Sequence, residues 1–224
     1  MSRAEAPIAV ELEGRGEIAV GTVYALGRNY AEHAREMNVA ADPVVFIKPR
    51  TALLPGGGGV AWPLGSNLVH HEVELVLLLG GGGSRLDRNA ADHAIAGVGI
   101  GIDLTARDLQ QDAKDRGAPW ARSKGFPGAA PVSRFRTRAV LAAIDSADLE
   151  LTVDGEPRQS GRVSDMILDP VGVVALLSEW FELAAGDLVF TGTPAGVSAV
   201  APGAHVVARS KMLGLEVACD LGGV

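Results

Sequence analysis

His71-Glu72-Val73-Glu74-Leu75-Val76-Leu77-Leu78-Leu79 alternates and is rich in valine and leucine, so it reads as a β-strand. On a strand, Glu72 and Glu74 point to one face, continued by Val76 and Leu78, while Val73, Leu75, Leu77 and Leu79 fill the other. Both faces are expected to be buried. Two adjacent carboxylates in such a strand repel each other and lose hydration, so they require a shifted pKa, basic partners or a cation. Taken alone, the segment fits equally well a strand end that emerges into solvent.

Residues 95–103 change that balance. They read as another strand, with Gly97, Gly99 and Gly101 on one face, open to the close approach of another backbone, and Val98, Ile100 and Ile102 on the other. Asp103 ends this strand where a helix is expected to open near Thr105, with Thr105 and Asp108 as a capping box and an end before Gly117. Three carboxylates, Glu72, Glu74 and Asp103, with no cysteine nearby suit a hard, oxygen-seeking ion, Mg²⁺ or Mn²⁺. His70 and His71 stand at a loop-to-strand junction, where histidines support ligands more often than they serve as ligands.

Further along, residues 169–183 read as a core helix with Pro170 at its first position, and Asp154-Gly155 signals a hairpin. Residues 187–191, 205–209 and 215–218 are short strands. The glycine runs 56–59 and 80–83 read as loops, since no helix-opening Lys-Ser/Thr follows them as a phosphate cradle would need. The count predicts a strand-rich α+β fold, with residues 1–16 as an N-terminal extension and 17–224 as one domain.

Composition narrows the function. A 224-residue chain that is 47% apolar can bury one sizeable core. The net charge is −7 and the 20 basic residues are scattered, which offers nucleic acid no electrostatic footprint. The apolar runs are too short to span a bilayer and no secretory leader is evident, so a cytoplasmic protein without membrane partners is expected. Cys219, the one cysteine, has apolar neighbours and reads as inert packing.

Gly27-Arg28-Asn29-Tyr30-Ala31-Glu32-His33-Ala34-Arg35-Glu36 is a second constellation, in which a short helix would put His33 and Glu36 on one face, the carboxylate orienting the imidazole as a general base. Together with Phe46-Ile47-Lys48-Pro49, His71-Glu72-Val73-Glu74-Leu75, Asp103-Leu104-Thr105-Ala106-Arg107-Asp108-Leu109-Gln110, Lys124 and Gly192-Thr193-Pro194-Ala195-Gly196-Val197, it resembles the fumarylacetoacetate hydrolase family in motif order. The resemblance runs from about residue 21 to 221 and is nearest to the short acylpyruvate hydrolase and oxaloacetate decarboxylase branch.

The resemblance implies a mixed β-sandwich roll, a homodimer, and Mg²⁺ or Mn²⁺ on Glu72, Glu74 and Asp103. It implies further that His33 and Glu36 ride on a lid helix, that Lys124 and Gln110 line the pocket, and that Arg28 and Thr193 contact a small 2-oxo-acid substrate. The expected reaction is hydrolytic cleavage of an acylpyruvate such as fumarylpyruvate or acetylpyruvate. Oxaloacetate decarboxylation and 2-oxo-acid tautomerisation share the enolate chemistry and are the alternatives, ahead of a non-catalytic 2-oxo-acid binding protein.

Overall fold

The computed structural model describes residues 8–30 and 43–222. Within them Val73–Leu79 is a strand buried along its whole length, as a near-continuous apolar run covered on both faces should be. It lies antiparallel between Ile95–Ile102 and Leu188–Phe190. The central sheet extends through Val23–Gly27 to Val44–Lys48 on one side and through Ala130–Val132 to Leu53–Pro55 on the other. Leu188–Phe190 runs parallel to Val23–Gly27, and Ala130–Val132 parallel to Leu53–Pro55, so the sheet is mixed.

A second sheet has the order Glu156–Arg162, Asp148–Val153, His205–Ser210, Leu215–Leu221, Gly58–Val60. The period of the Val73–Leu79 strand decides how the layers meet. Its odd face, Val73, Leu75, Leu77 and Leu79, shares a core with Leu149, Leu151, Val206, Ala208 and Val217 of the second sheet. Its even face gives Val76 and Leu78 to another core with Phe135, Phe190, Val10 and Leu12. The last two come from Ala9–Leu12, which pairs antiparallel with Gly16–Ala19. The architecture is the expected strand-rich α+β fold of mixed sheets.

Four details differ from the sequence reading. Residues 71–79 are not one strand: Val69–His71 pairs with Ser198–Val200 and Thr105–Ala106 in a separate small sheet, and the chain changes sheets at Glu72. The capping box does not form, because Thr105 and Ala106 are taken up in that sheet and the helix, Arg107–Asp115, starts later with no side-chain cap. Asp108 instead accepts hydrogen bonds from Ser66 Oγ at 2.6 Å and the Asn67 N–H at 2.7 Å. Part of the first glycine run, Gly58–Val60, is a strand parallel to Leu215–Leu221. On the glycine face a backbone approaches closely only at Gly97, where a Cβ would lie 2.9 Å from the Arg136 carbonyl, while the space beside Gly99 and Gly101 is filled mainly by the rings of Phe135 and Phe190.

Three other local expectations hold. The helix Pro170–Trp180 is capped by the Asp169 side chain, and Asp154-Gly155 turns the chain between paired strands. Cys219 is buried, and that burial, with Asp220 beside it, pushes its thiol up to about 12. No helix among the described residues is long and apolar enough to cross a membrane.

Candidate active site

Strand register builds the centre of the site. Glu74 pairs with Gly101 and Val73 with Ile102, so Glu72 falls opposite Asp103, whose N–H donates to the Glu72 carbonyl at 2.8 Å. With a period of two, Glu72, Glu74 and Asp103 emerge on one face at the shared end of two strands. One ligand atom from each lies within 4.8 Å of the others, and all three residues are buried. Gly101, paired with Glu74, has no room for a side chain of its own, because the Phe190 ring and Val76 fill the space a Cβ would take.

Cations from other elements surround these carboxylates. Lys124 Nζ, on the short helix Ala121–Lys124, donates to Glu72 Oε2 at 2.7 Å and Asp103 Oδ2 at 2.6 Å. Lys48 Nζ pairs with Asp103 Oδ1 at 2.7 Å, and Arg107 pairs with Glu72 Oε1. Among the described residues Glu74 has no basic partner; its Oε2 accepts the Gly192 N–H at 2.7 Å. Burial, then Asp103 and Glu72, push the Glu74 carboxyl well above the usual carboxylate range. Burial opposes the charge of Lys124, but Asp103 and Glu72 outweigh it and raise its pKa. For Lys48 burial prevails over Asp103 and the pKa falls. An all-carboxylate donor set, buried and with one member outside any ion pair among the described residues, fits a divalent metal ion.

One pocket brings together Arg28, Glu72, Glu74, Asp103, Gln110, Lys124 and Thr193. Arg28 sits at φ 67, a left-handed backbone uncommon outside glycine and a form of strain that collects at functional sites. Its neighbour Asn29 staples the turn: the Asn29 amide donates to the Leu168 and Thr191 carbonyls, both at 2.9 Å, and Oδ1 accepts the Leu168 N–H at 2.8 Å. Gly192, at φ 97, passes so close that a Cβ there would lie 2.9 Å from Asn29 Cβ. His33 and Glu36 lie outside the described residues.

Sequence reasoning left three participants without a role. Arg107 lines the pocket and donates to Gln110 Oε1 at 2.6 Å as well as to Glu72. Lys114 lines it too, its Nζ 5.3 Å from the centre of the Trp120 ring. Lys48 is 1% exposed and also donates to the Lys124 carbonyl at 2.5 Å and the Ala129 carbonyl at 3.1 Å. A lysine closing the apolar strand Val44–Lys48 was the available signal. Lys48→Met should leave Asp103 short of one buried counter-charge and cost roughly 3–5 kcal/mol of stability, read by urea unfolding. A loss under about 1 kcal/mol would show that Lys48 does not hold this corner. His70 and His71 are not in the pocket lining; burial first, then Arg107, lowers His70 to about 4.

Residues 22–218 match the fumarylacetoacetate (FAA) hydrolase C-terminal family. The chain is 42% identical over 187 residues to oxaloacetate tautomerase YcgM of Escherichia coli (strain K12), covering 82% of this chain and 85% of that protein. It is 41% identical over 180 residues to the mitochondrial oxaloacetate tautomerase FAHD1 of Rattus norvegicus, covering 80% and 81%. The solved structure of fumarylpyruvate hydrolase from Pseudomonas aeruginosa, in complex with Mn²⁺ and pyruvate, superposes with a TM-score of 0.93 at 35% identity, covering 99% of this chain and 98% of that one. The chain belongs to the fumarylacetoacetate hydrolase family of enzymes.

Proposed function

We propose that this protein is a divalent-metal-dependent hydrolase that cleaves the C–C bond of acylpyruvates, fumarylpyruvate and acetylpyruvate being the type, to pyruvate and a carboxylic acid. The observation that carries the reading is the buried Glu72, Glu74 and Asp103 triad at the base of a pocket whose walls carry Arg28, Gln110, Lys124 and Thr193. Such a pocket suits a small anion with a 2-oxo group. The match to a fumarylpyruvate hydrolase over nearly the full length of both chains supports the hydrolase choice.

A Mg²⁺ or Mn²⁺ ion held by the triad supplies Lewis acidity to the 2-oxo acid. Arg28 and the Thr193 hydroxyl orient the substrate carboxylate. His33, aligned by Glu36, takes a proton from water, and the water oxygen adds to the distal carbonyl. The bond between that carbon and the pyruvate methylene breaks, leaving its electron pair on the pyruvate fragment as the enolate. Lys124, with Gln110 beside it, stabilises the oxyanion and helps return a proton to the methylene carbon.

The identity to two oxaloacetate tautomerases favours a second reading, in which the same pocket only moves a proton between the keto and enol forms of oxaloacetate. A panel of fumarylpyruvate, acetylpyruvate and oxaloacetate with Mg²⁺ or Mn²⁺ separates the two. Pyruvate release from an acylpyruvate supports the hydrolase. Oxaloacetate interconversion with every acylpyruvate inert would replace it by the tautomerase. The proposed assembly is a symmetric homodimer, the commonest form of soluble oligomer. Light scattering at micromolar concentration should then give about twice the 23.1 kDa chain mass; a 23.1 kDa species alone would contradict it.

A further inference from the structure

Gln159 is the one buried residue of its strand, Glu156–Arg162, which forms an edge of the second sheet. The pairing with Asp148–Val153 slips between Leu151 and Thr152, where Leu151 faces Gln159 but Thr152 faces Pro157. Bulges of this kind re-aim a side chain. Here the side chain reaches behind the substrate pocket and spends its full hydrogen-bonding capacity there. Oε1 accepts the Val73 N–H at 3.0 Å and pairs with His71 Nδ1 at 2.9 Å, while Nε2 donates to Thr193 Oγ1 at 2.8 Å and to the Pro194 carbonyl at 3.0 Å.

These partners leave the amide a single orientation. Val73 N–H can only donate and the Pro194 carbonyl can only accept, so exchanging the amide oxygen and nitrogen would set donor against donor and acceptor against acceptor. Thr193 Oγ1 therefore receives a hydrogen bond from Gln159, and its own proton must go elsewhere. Among the described residues Thr193 makes no other hydrogen bond, and it lines the substrate pocket. We infer that Gln159 is a positioning residue that fixes the Thr193 hydroxyl as a donor, aimed into the pocket toward the carboxylate of the 2-oxo acid. The inference rests on the proposed 2-oxo-acid site and adds what sets the polarity of its carboxylate contact.

Gln159→Glu is the discriminating variant. It keeps the shape and the acceptor toward Val73 and His71 but turns the donor facing Thr193 into an acceptor, so the hydroxyl must donate backwards and show the pocket a lone pair. Calorimetric titration of pyruvate into Mn²⁺-loaded protein should show binding weakened about 10- to 100-fold, the size of one hydrogen bond to a charged group, with Mn²⁺ affinity within about twofold of the parent. In a Thr193→Ala background the same change should have almost no further effect. Should Gln159→Glu fail to fold, Gln159→Met takes its place in the cycle; it frees the hydroxyl to rotate, and a smaller loss, again absent without Thr193, is expected. Pyruvate binding equal to the parent, or an equal loss in both backgrounds, would overturn the assignment. Inert acylpyruvates with this cycle intact would remove the hydrolase reading alone. A parent protein that binds no pyruvate would remove both.

Discussion

Glu72→Ala should abolish acylpyruvate cleavage and any turnover of oxaloacetate together. Both reactions develop negative charge on the 2-oxo acid, and the proposed triad is where a cation able to offset it is held. Glu72 is also a hub, with Oε2 on Lys124, Oε1 on Arg107, and its carbonyl on the Asp103 N–H. Its loss removes a ligand charge and frees two cations that now stand beside Asp103 and Gln110. Several kcal/mol of charge stabilisation is more than roughly a 10³-fold loss of rate. Pyruvate release at saturating Mn²⁺, with circular dichroism to show that the fold is intact, is the measurement. A variant that kept more than about a tenth of parental turnover with either substrate would remove Glu72 from the mechanism.

His33→Ala should be selective where Glu72→Ala is not. Hydrolysis needs an activated water as well as somewhere to place the electron pair, whereas loss of CO₂ from oxaloacetate needs only the latter. If His33 is the base, acylpyruvate cleavage should fall by roughly 10²- to 10⁴-fold, the usual scale of general-base help, while any oxaloacetate decarboxylation survives better. Glu36→Ala should resemble it. The double variant should be little worse than either single one, since groups that act as a unit are not additive. Acylpyruvate cleavage within a few-fold of the parent in His33→Ala would end the dyad assignment. This prediction stands on the His-x-x-Glu spacing, as both residues lie outside the described part of the chain.

The parts of the fold that were legible in the sequence are those set by local periodicity. The two-residue period from Val73 to Leu79 announced a strand covered on both faces, and Pro170 after Asp169 announced a capped helix. The triad was legible because carboxylates at the ends of apolar strands are costly to bury without a reason. What periodicity does not carry is which distant segment arrives. The sheet change at Glu72 depends on Ser198–Val200 pairing with Val69–His71. Gln159 meets partners 86 and 34 residues away, and Lys48 meets Ala129 81 residues away. The capping signal at Thr105 and Asp108 was real as a local pattern, but a tertiary strand pairing and Ser66 claimed those residues first.

The proposed mechanism requires Glu72, Glu74 and Asp103 to hold one divalent ion, and titration of Mn²⁺ into chelator-treated protein, followed by the electron paramagnetic resonance of the free ion, measures this directly. The parent should take up one Mn²⁺ per chain and hold it more tightly when pyruvate is present. Glu74→Gln, which keeps the Gly192 N–H contact available and removes only the ligand charge, should bind it at least about tenfold more weakly at unchanged circular dichroism. Mn²⁺ binding by Glu74→Gln with the parent's stoichiometry and affinity would rule out the carboxylate triad as the metal site.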